Sequence, residues 1–217
     1  MGLRLYSRYQ NSAGQRVRIV LNLKGIAYDY VPVSSLDREA WARINPQGLM
    51  PALEIGDRVV AQSLAIIELL EDLHPDPPVL PADPVLRAQV RAFAGLIAAD
   101  LHPLNNNRVR RFLETDLAVP PDGVRRWYRH WVATALHSLE AMVADRVPPT
   151  RFAFTDAPTL AEACLVPQMD NARRFDCDLA PYPRLRAIDA ACRGLDAFRR
   201  AAPENQPDFP SRPARDA

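Results

Sequence analysis

Residues 45–72, NPQGLMPALEIGDRVVAQSLAIIELLED, concentrate groups with which this chain could hold a small anion. Met50-Pro51 stands directly before a short apolar run, Ala52–Ile55, and Gly56-Asp57 is a turn pair that sends the chain back through Arg58–Ala61. Gln62-Ser63 then opens an amphipathic stretch with apolar Leu64, Ile66, Ile67, Leu69 and Leu70. Serine is a good N-cap, so Ser63 is expected to cap this helix, and the free amides of the first turn make a site for an anion. Asn11-Ser12-Ala13-Gly14 is a second cap signal. A third cluster is His102, Asn105, Asn106, Asn107 and Arg108, just after Asp100. Three consecutive asparagines are poor helix formers because their amides compete with the backbone, and such a conflict inside a long helix tends to mark a site. Each cluster also has a plainer reading. The first is an ordinary hairpin and capped helix with a trans proline, and Ser12 is a simple N-cap. His102 is a satisfied core histidine, while Arg108 with Arg110 and Arg111, and Arg173 with Arg174, form solvated faces.

The elements that must position these groups follow from hydrophobic period. Arg4–Ser7 reads as a short strand, and Val17, Ile19, Val20, Leu21 and Leu23 recur at mainly helical spacing until Lys24-Gly25. Tyr28–Val33 alternates like a strand, so strand, helix, strand predicts a right-handed βαβ unit with parallel strands. Arg38–Ile44 is a weak helix ended by Asn45-Pro46. With the hairpin and its helix, residues 1–80 form a β-α-β-α-β-β-α domain. Five prolines between His74 and Pro84 make a stiff linker. Beyond it, 85–217 reads as all-helical: Val85–Asp100 with a kink expected at Pro103, Val124–Arg146, a helix from Leu160 to about Phe175, then Pro183–Cys192 and Leu195–Ala202. Thr159-Leu-Ala-Glu162 is a capping box. Residues 203–217 read as a polar, mobile tail.

Composition narrows the class. Hydrophobic residues at 48% and charged residues at 24% describe a folded globular chain, and a net charge of +1 makes no general case for nucleic acid or an anionic membrane as partner. No apolar run has membrane length, and MGLRLYSRYQ lacks a signal-peptide core. Cys164, Cys177 and Cys192 have no metal-type spacing and suit a reducing cytoplasm as packing residues. No metal cluster, phosphate loop or dinucleotide fingerprint is present. His130 and His137, a heptad apart, read as structural, and Lys24, the only lysine, reads as a mark of genome composition.

The order X-Pro, strand, turn, strand, Gln-Ser, helix resembles the glutathione-holding half of a thioredoxin-like domain. Together with RVRIVLNLKGIAYDYVPV, NPQGLMPALE, AQSLAIIELLE, DLHPLNNNRV, DAPTLAEACLVPQMDNARRF and DLAPYPRLRAIDAAC, it makes the chain resemble the zeta class of the cytosolic glutathione transferases. That class includes maleylacetoacetate and maleylpyruvate isomerases. The resemblance runs from Leu3 to about Pro203 and implies the glutathione transferase fold: a thioredoxin-like α/β domain followed by an all-helical domain. One departure stands out. Where the class usually has Arg-Ser-Ser-Cys, this chain has Gln10, Asn11, Ser12 and Ala13. A mechanism through a protein thiol there is excluded, and a substrate-facing arginine of some relatives is Gln10.

The resemblance implies glutathione as cofactor and a small dicarboxylate as substrate. It implies a cis Met50-Pro51 bond with the Met50 backbone on the peptide part of glutathione, and Gln62 and Ser63 on its γ-glutamyl carboxylate. It also implies His102 and Asn106 near glutathione, and Arg108 and Arg174 on substrate carboxylates. In this family a glutathione thiolate adds reversibly to an activated double bond, which then rotates. The free thiol, with a pKa of about 8.5, must be ionised by a helix N-terminus and a hydroxyl that bonds only the charged form. Ser12 is the available hydroxyl, with Asn11 beside it. The leading expectation is therefore a cytoplasmic, homodimeric glutathione-dependent isomerase of maleylpyruvate or maleylacetoacetate in aromatic catabolism. A transferase that conjugates or dehalogenates small electrophiles uses the same thiolate. A non-catalytic glutathione-transferase-like binding module is the third reading, and the retained serines and Gln62 argue against it.

Overall fold

The computed structural model describes residues 2–144 and 150–210. β1 (Leu3–Ser7) places Leu3, Leu5, Tyr6 and Ser7 inside and Arg4 outside. α1 (Ser12–Leu23) carries the chain to β2 (Asp29–Pro32), which pairs with β1 in parallel. After α2 (Arg38–Ile44), capped by Asp37, the hairpin β3 (Ala52–Ile55) and β4 (Arg58–Ala61) adds two antiparallel strands. The sheet order is β2-β1-β3-β4. Gly56 supplies the positive φ its tight turn demands. α1 buries Val17, Ile19, Val20 and Leu21, and α3 (Ser63–Leu73) buries Ile66, Ile67 and Leu70. The α3 stripe follows the helical period of the sequence, whereas α1 is buried all round from Ala13 to Leu21.

Lys24 proves to be a structural tie. Its buried ammonium pairs with Glu71 Oε2 at 2.6 Å and donates to the carbonyls of His74 at 2.6 Å and Pro77 at 2.8 Å. Those three partners match the three donors of an ammonium group. The end of α1 is thus bound to the end of α3 and the start of the proline-rich run.

The chain divides into two compact units, 2–77 with 195–210 and 78–194 among the described residues. The division falls inside the proline-rich linker, but the segment from Leu195 onward does not follow the helical unit as the sequence suggested. α10 (Asp196–Ala201, numbered in chain order) packs on α1, burying Phe198 and Ala201. The reason lies in α1: Arg18 is fully buried, and its guanidinium needs acceptors that the carbonyl of Ala201 provides. The expected tail is ordered as far as the structure describes it. Pro203–Asn205 forms a 3-10 turn, and Gln206 is buried with Nε2 donating to the carbonyls of Arg200 and Ala202 at 2.8 Å each. Residues 211–217 of that tail, and Arg146 at the end of the expected second helix, lie outside the described residues.

The described part of the second unit is helical. α4 (Pro84–Gly95) starts with Asp83 accepting from Leu86 N and proline at its first position. The irregularity expected at Pro103 lies one turn earlier, as a π-helical turn over Leu96–Leu101 in which His102 N bonds Ile97 O. Pro103 itself falls in the first turn of α5 (His102–Leu104), where a missing N–H costs least. The three asparagines are not interior to a long helix. Asn105 ends α5 and donates to Tyr128 O at 3.1 Å, while Asn106 caps α6 (Asn107–Thr115) by accepting from Arg108 N. α7 (Pro121–Ala144) leaves His130 and His137, read as structural, exposed. α8 (Leu160–Arg174) is the central helix, buried from Leu160 through Met169, and packs against α4 and α9 (Pro183–Arg193). Its capping box forms as read. Burial pushes the Glu162 carboxyl above the usual range, while bonds from Thr159 and Ala153 pull it back.

Candidate active site

Sheet register gathers the first unit's candidate residues. Tyr6 pairs with Ala52, and Ala52 with Ala61. Hence the end of β1 at Ser7, Pro51 before β3 and Gln62 after β4 all stand at one edge of the sheet, on three adjacent strands about 10 Å across. The loop to Ser12, the Met50–Pro51 bond and the start of α3 leave from that edge. The Met50–Pro51 peptide is cis.

At α1 the cap is Asn11, whose Oδ1 accepts from Gly14 N at 2.5 Å, so Ser12 is the first helical residue and not the cap. The plainer reading of Ser12 as an N-cap therefore fails. Gly14 is required by close approach. A Cβ there would lie 2.0 Å from Ser7 Oγ and 2.7 Å from Asn11 Oδ1, so any larger residue would displace one of these side chains or the start of α1. Ser12 and Asn11 are half-buried, and Gln10 is exposed.

At α3 the sequence expectation is corrected. Gln62, with φ of 72°, occupies the cap position, and Ser63 is the first helical residue. Gln62 makes no capping hydrogen bond; its Nε2 instead donates to Gln47 Oε1 at 2.8 Å. The first turn of α3 carries no acidic residue either. Buried Arg16, from the second turn of α1, donates from Nη1 to Ser63 Oγ at 3.3 Å. Amides without a side-chain cap, a hydroxyl and a buried cation together fit a carboxylate such as the γ-glutamyl group of glutathione. Sequence reasoning missed Arg16 because nothing in its local sequence, with Gln15 before it and Arg18 two residues on, separates a buried cation from a solvated one. It also missed Asn45. That buried side chain donates to Leu49 O at 2.6 Å and accepts from Gln47 N, shaping the loop into Met50. Met50 packs into the cluster of Tyr6, Trp41 and Ala52.

The remaining candidates belong to the second unit. His102 closes the π-helical turn and is half-buried, and Asn106 is the α6 cap. Arg108 is exposed. Arg174 is exposed at its end of α8, with Nη2 donating to Asn171 Oδ1 at 2.8 Å and its guanidinium 5.1 Å from the Phe175 ring centre. Arg110, which the sequence grouped with a solvated face, lies 4.6 Å from the same ring. Phe175 stacks on Tyr128 at 3.8 Å, so one aromatic stack orients two cations. Desolvation, opposed by Arg174, pushes the Tyr128 hydroxyl up to about 12, and it stays protonated. Arg173 is engaged elsewhere, with Asp170 and Asp189. The thiols are packing groups: Cys164 and Cys192 are buried, and burial pushes Cys177 up to about 11.

Comparison with known proteins agrees with this geometry. Residues 5–78 match the family described as the N-terminal domain of glutathione S-transferase. A maleylpyruvate isomerase from Ralstonia sp is 44% identical over 95% of this chain and 99% of its own length. The maleylacetoacetate isomerase of Pseudomonas aeruginosa is 38% identical over 96% and 100%. A solved bacterial maleylpyruvate isomerase of the zeta class superposes with a TM-score of 0.92 at 44% identity, covering 95% of this chain and all of that one. The maleylacetoacetate isomerase of Anaeromyxobacter dehalogenans, solved with glutathione in its active site, gives a TM-score of 0.86 at 44% identity over 96% and 98%. Identity of this level along nearly the whole length, with the sheet, cis bond and helix starts in place, fixes the family: the chain belongs to the zeta-class glutathione transferases, in the branch of maleylacetoacetate and maleylpyruvate isomerases.

Proposed function

We propose that the chain is a glutathione-dependent cis–trans isomerase of maleylpyruvate or maleylacetoacetate. The observation that carries this reading is the near-full-length 44% identity to a maleylpyruvate isomerase. When bound, glutathione would supply a thiolate able to add reversibly to the alkene carbon β to the conjugated carbonyl, leaving a single bond that can rotate before the thiolate is expelled and the double bond re-forms. Ser12 and the amide end of α1, with Asn11, favour the ionised sulfur, since a hydroxyl and a positive helix end both bond the charged form better. Ser63, the first amides of α3, Gln62 and Arg16 hold the γ-glutamyl carboxylate, and the Met50 backbone before Pro51 pairs with the peptide portion. His102 and Asn106 also approach glutathione. Arg108 and Arg174 hold substrate carboxylates, with Arg110 beside Arg174 on the Phe175 stack. Guanidinium groups suit that task because two parallel bonds fix orientation as well as charge. Gln10 offers the substrate a neutral donor and acceptor. The protein works in the cytoplasm as a two-fold homodimer, which light scattering checks as a mass of twice 24.3 kDa.

The test is spectrophotometric loss of each cis substrate, with and without glutathione, while free glutathione is measured in parallel. The expected result is turnover that requires glutathione and leaves its concentration constant. Falling glutathione would instead establish a conjugating transferase, and glutathione-independent turnover would overturn the assignment of the helix ends.

A further inference from the structure

The loop that delivers Ser12 is held from the far end of the chain. Three of its backbone groups are bonded by two charged side chains. Arg18 donates to the carbonyls of Arg8 at 3.3 Å and Tyr9 at 3.1 Å, as well as to Ser7 Oγ at 3.3 Å. Tyr9 N donates to Asp208 Oδ2 at 3.0 Å, and the other carboxylate oxygen accepts from the Tyr30 hydroxyl at 2.8 Å. Phe209 meets the Tyr9 ring edge-on at 5.4 Å. Arg18 and the Tyr30 ring are 6.0 Å apart, and the same guanidinium bonds Ala201 O, so Asp208 and Arg18 belong to one network. A loop left to solvent would need none of this. A buried arginine and a bridging carboxylate are costly unless fully bonded, and here the bonds end on the backbone three and four residues before Ser12.

We propose that Asp208, acting with Arg18, is a positioning residue that holds Ser12 against the sulfur of bound glutathione, so that the C-terminal segment is a working part of the thiol-binding site. This rests on the reading of Ser12 given above. Asp208 touches neither cofactor nor substrate in the proposal; it acts through the Arg8–Tyr9 backbone. Position and charge can be separated, because asparagine keeps an acceptor for Tyr9 N while its amide can donate to the Tyr30 oxygen.

The experiment compares full-length wild type, Asp208→Ala, Asp208→Asn and Tyr30→Phe. One readout is amide exchange at Tyr9 without glutathione, and the other is the pH titration of the bound thiol by its thiolate absorbance. Asp208→Ala is expected to speed Tyr9 exchange at least about tenfold and to raise the bound thiol's midpoint by about half a unit or more, with glutathione affinity within about threefold. Asp208→Asn should stay near wild type in both. Tyr30→Phe, which removes one oxygen and only loosens Asp208, should shift both readouts in the same direction by less. It also decides the matter should Asp208→Ala fail to fold. The proposal is overturned if Tyr9 exchange rises while the thiol midpoint stays put, or if Asp208→Asn shifts the midpoint as far as Asp208→Ala. A wild type whose bound thiol titrates like free glutathione would overturn the Ser12 reading and this one together. A lowered wild-type midpoint that no variant moves would overturn this one alone.

Discussion

Replacing Ser12 with alanine removes one hydroxyl from the first position of α1, while Asn11 keeps the helix end closed. The two neighbours therefore separate chemistry from folding. Loss of one charge-assisted hydrogen bond to a thiolate should raise its pKa by roughly one to two units, at about 1.4 kcal/mol per unit. Because a free thiol with a pKa of about 8.5 is only a few per cent ionised at neutral pH, turnover should fall by up to about thirtyfold. Stability should fall by less than in Asn11→Ala, since the cap on Gly14 N is kept. Asn11→Ala is expected to behave in the opposite way. Losing the bond to Gly14 N should cost about 1 kcal/mol, or about 2–4 °C in Tm for a chain of this size, with a smaller shift of the thiol. The assay is thiolate absorbance of the glutathione complex titrated against pH, with thermal unfolding of the same samples. An unchanged midpoint in Ser12→Ala would falsify Ser12 as the activating hydroxyl, and Asn11 would become the candidate. A Tm loss in Ser12→Ala equal to that of Asn11→Ala would show the serine to be a cap after all.

Among the arginines, Arg174→Ala or Arg108→Ala should lower kcat/KM by at least tenfold on the better of the two substrates, since losing one partner of a desolvated charge pair costs roughly 2–5 kcal/mol. If neither does, both belong to the solvated face; Arg110→Ala, measured alongside, reports whether the cation sharing Phe175 contributes. Glu162→Gln should destabilise by about 1–3 kcal/mol in urea unfolding, because both carboxylate oxygens accept backbone N–H groups and the amide would turn a donor toward one of them. The pH dependence carries the sign of a raised folded-state pKa. Wild type should gain stability from Glu162 as pH falls through the folded pKa toward the unfolded one, and the glutamine variant should lack that component; an identical pH slope would refute the burial argument. Lys24→Met should cost about 3–5 kcal/mol by taking the buried ammonium from Glu71, and a double variant with Glu71→Leu should recover part of it. Failure of that recovery would mean that the bonds to His74 and Pro77, not the ion pair, carry the tie.

Local chemistry made much of this protein legible before any coordinates. The hairpin Ala52–Ala61 announced itself through a two-residue Gly-Asp turn between apolar runs, and the capping box at Thr159–Glu162 through spacing alone. The helix starts near Ser12 and Ser63 were readable because cap residues act within three or four positions of their own amides. Which residue did the capping was not, since it depends on the backbone turn: Gln62 takes a positive φ that no composition signal marks, and it is Asn11 Oδ1, not Ser12 Oγ, that the turn sets on Gly14 N. The asparagine run was seen as a conflict but not as a helix break, because Asn105 bonds Tyr128 from another helix. Likewise Arg16 and Arg18 drew no reading of their own, and Lys24 looked like a trace of genome composition. Their roles depend on acceptors 47, 183 and 50 residues away in sequence. Short-range hydrogen bonding and hydrophobic period are written along the chain, so the sequence carries them. A buried cation is stabilised only where distant carbonyls and carboxylates converge on it, and that convergence exists only once the chain has folded.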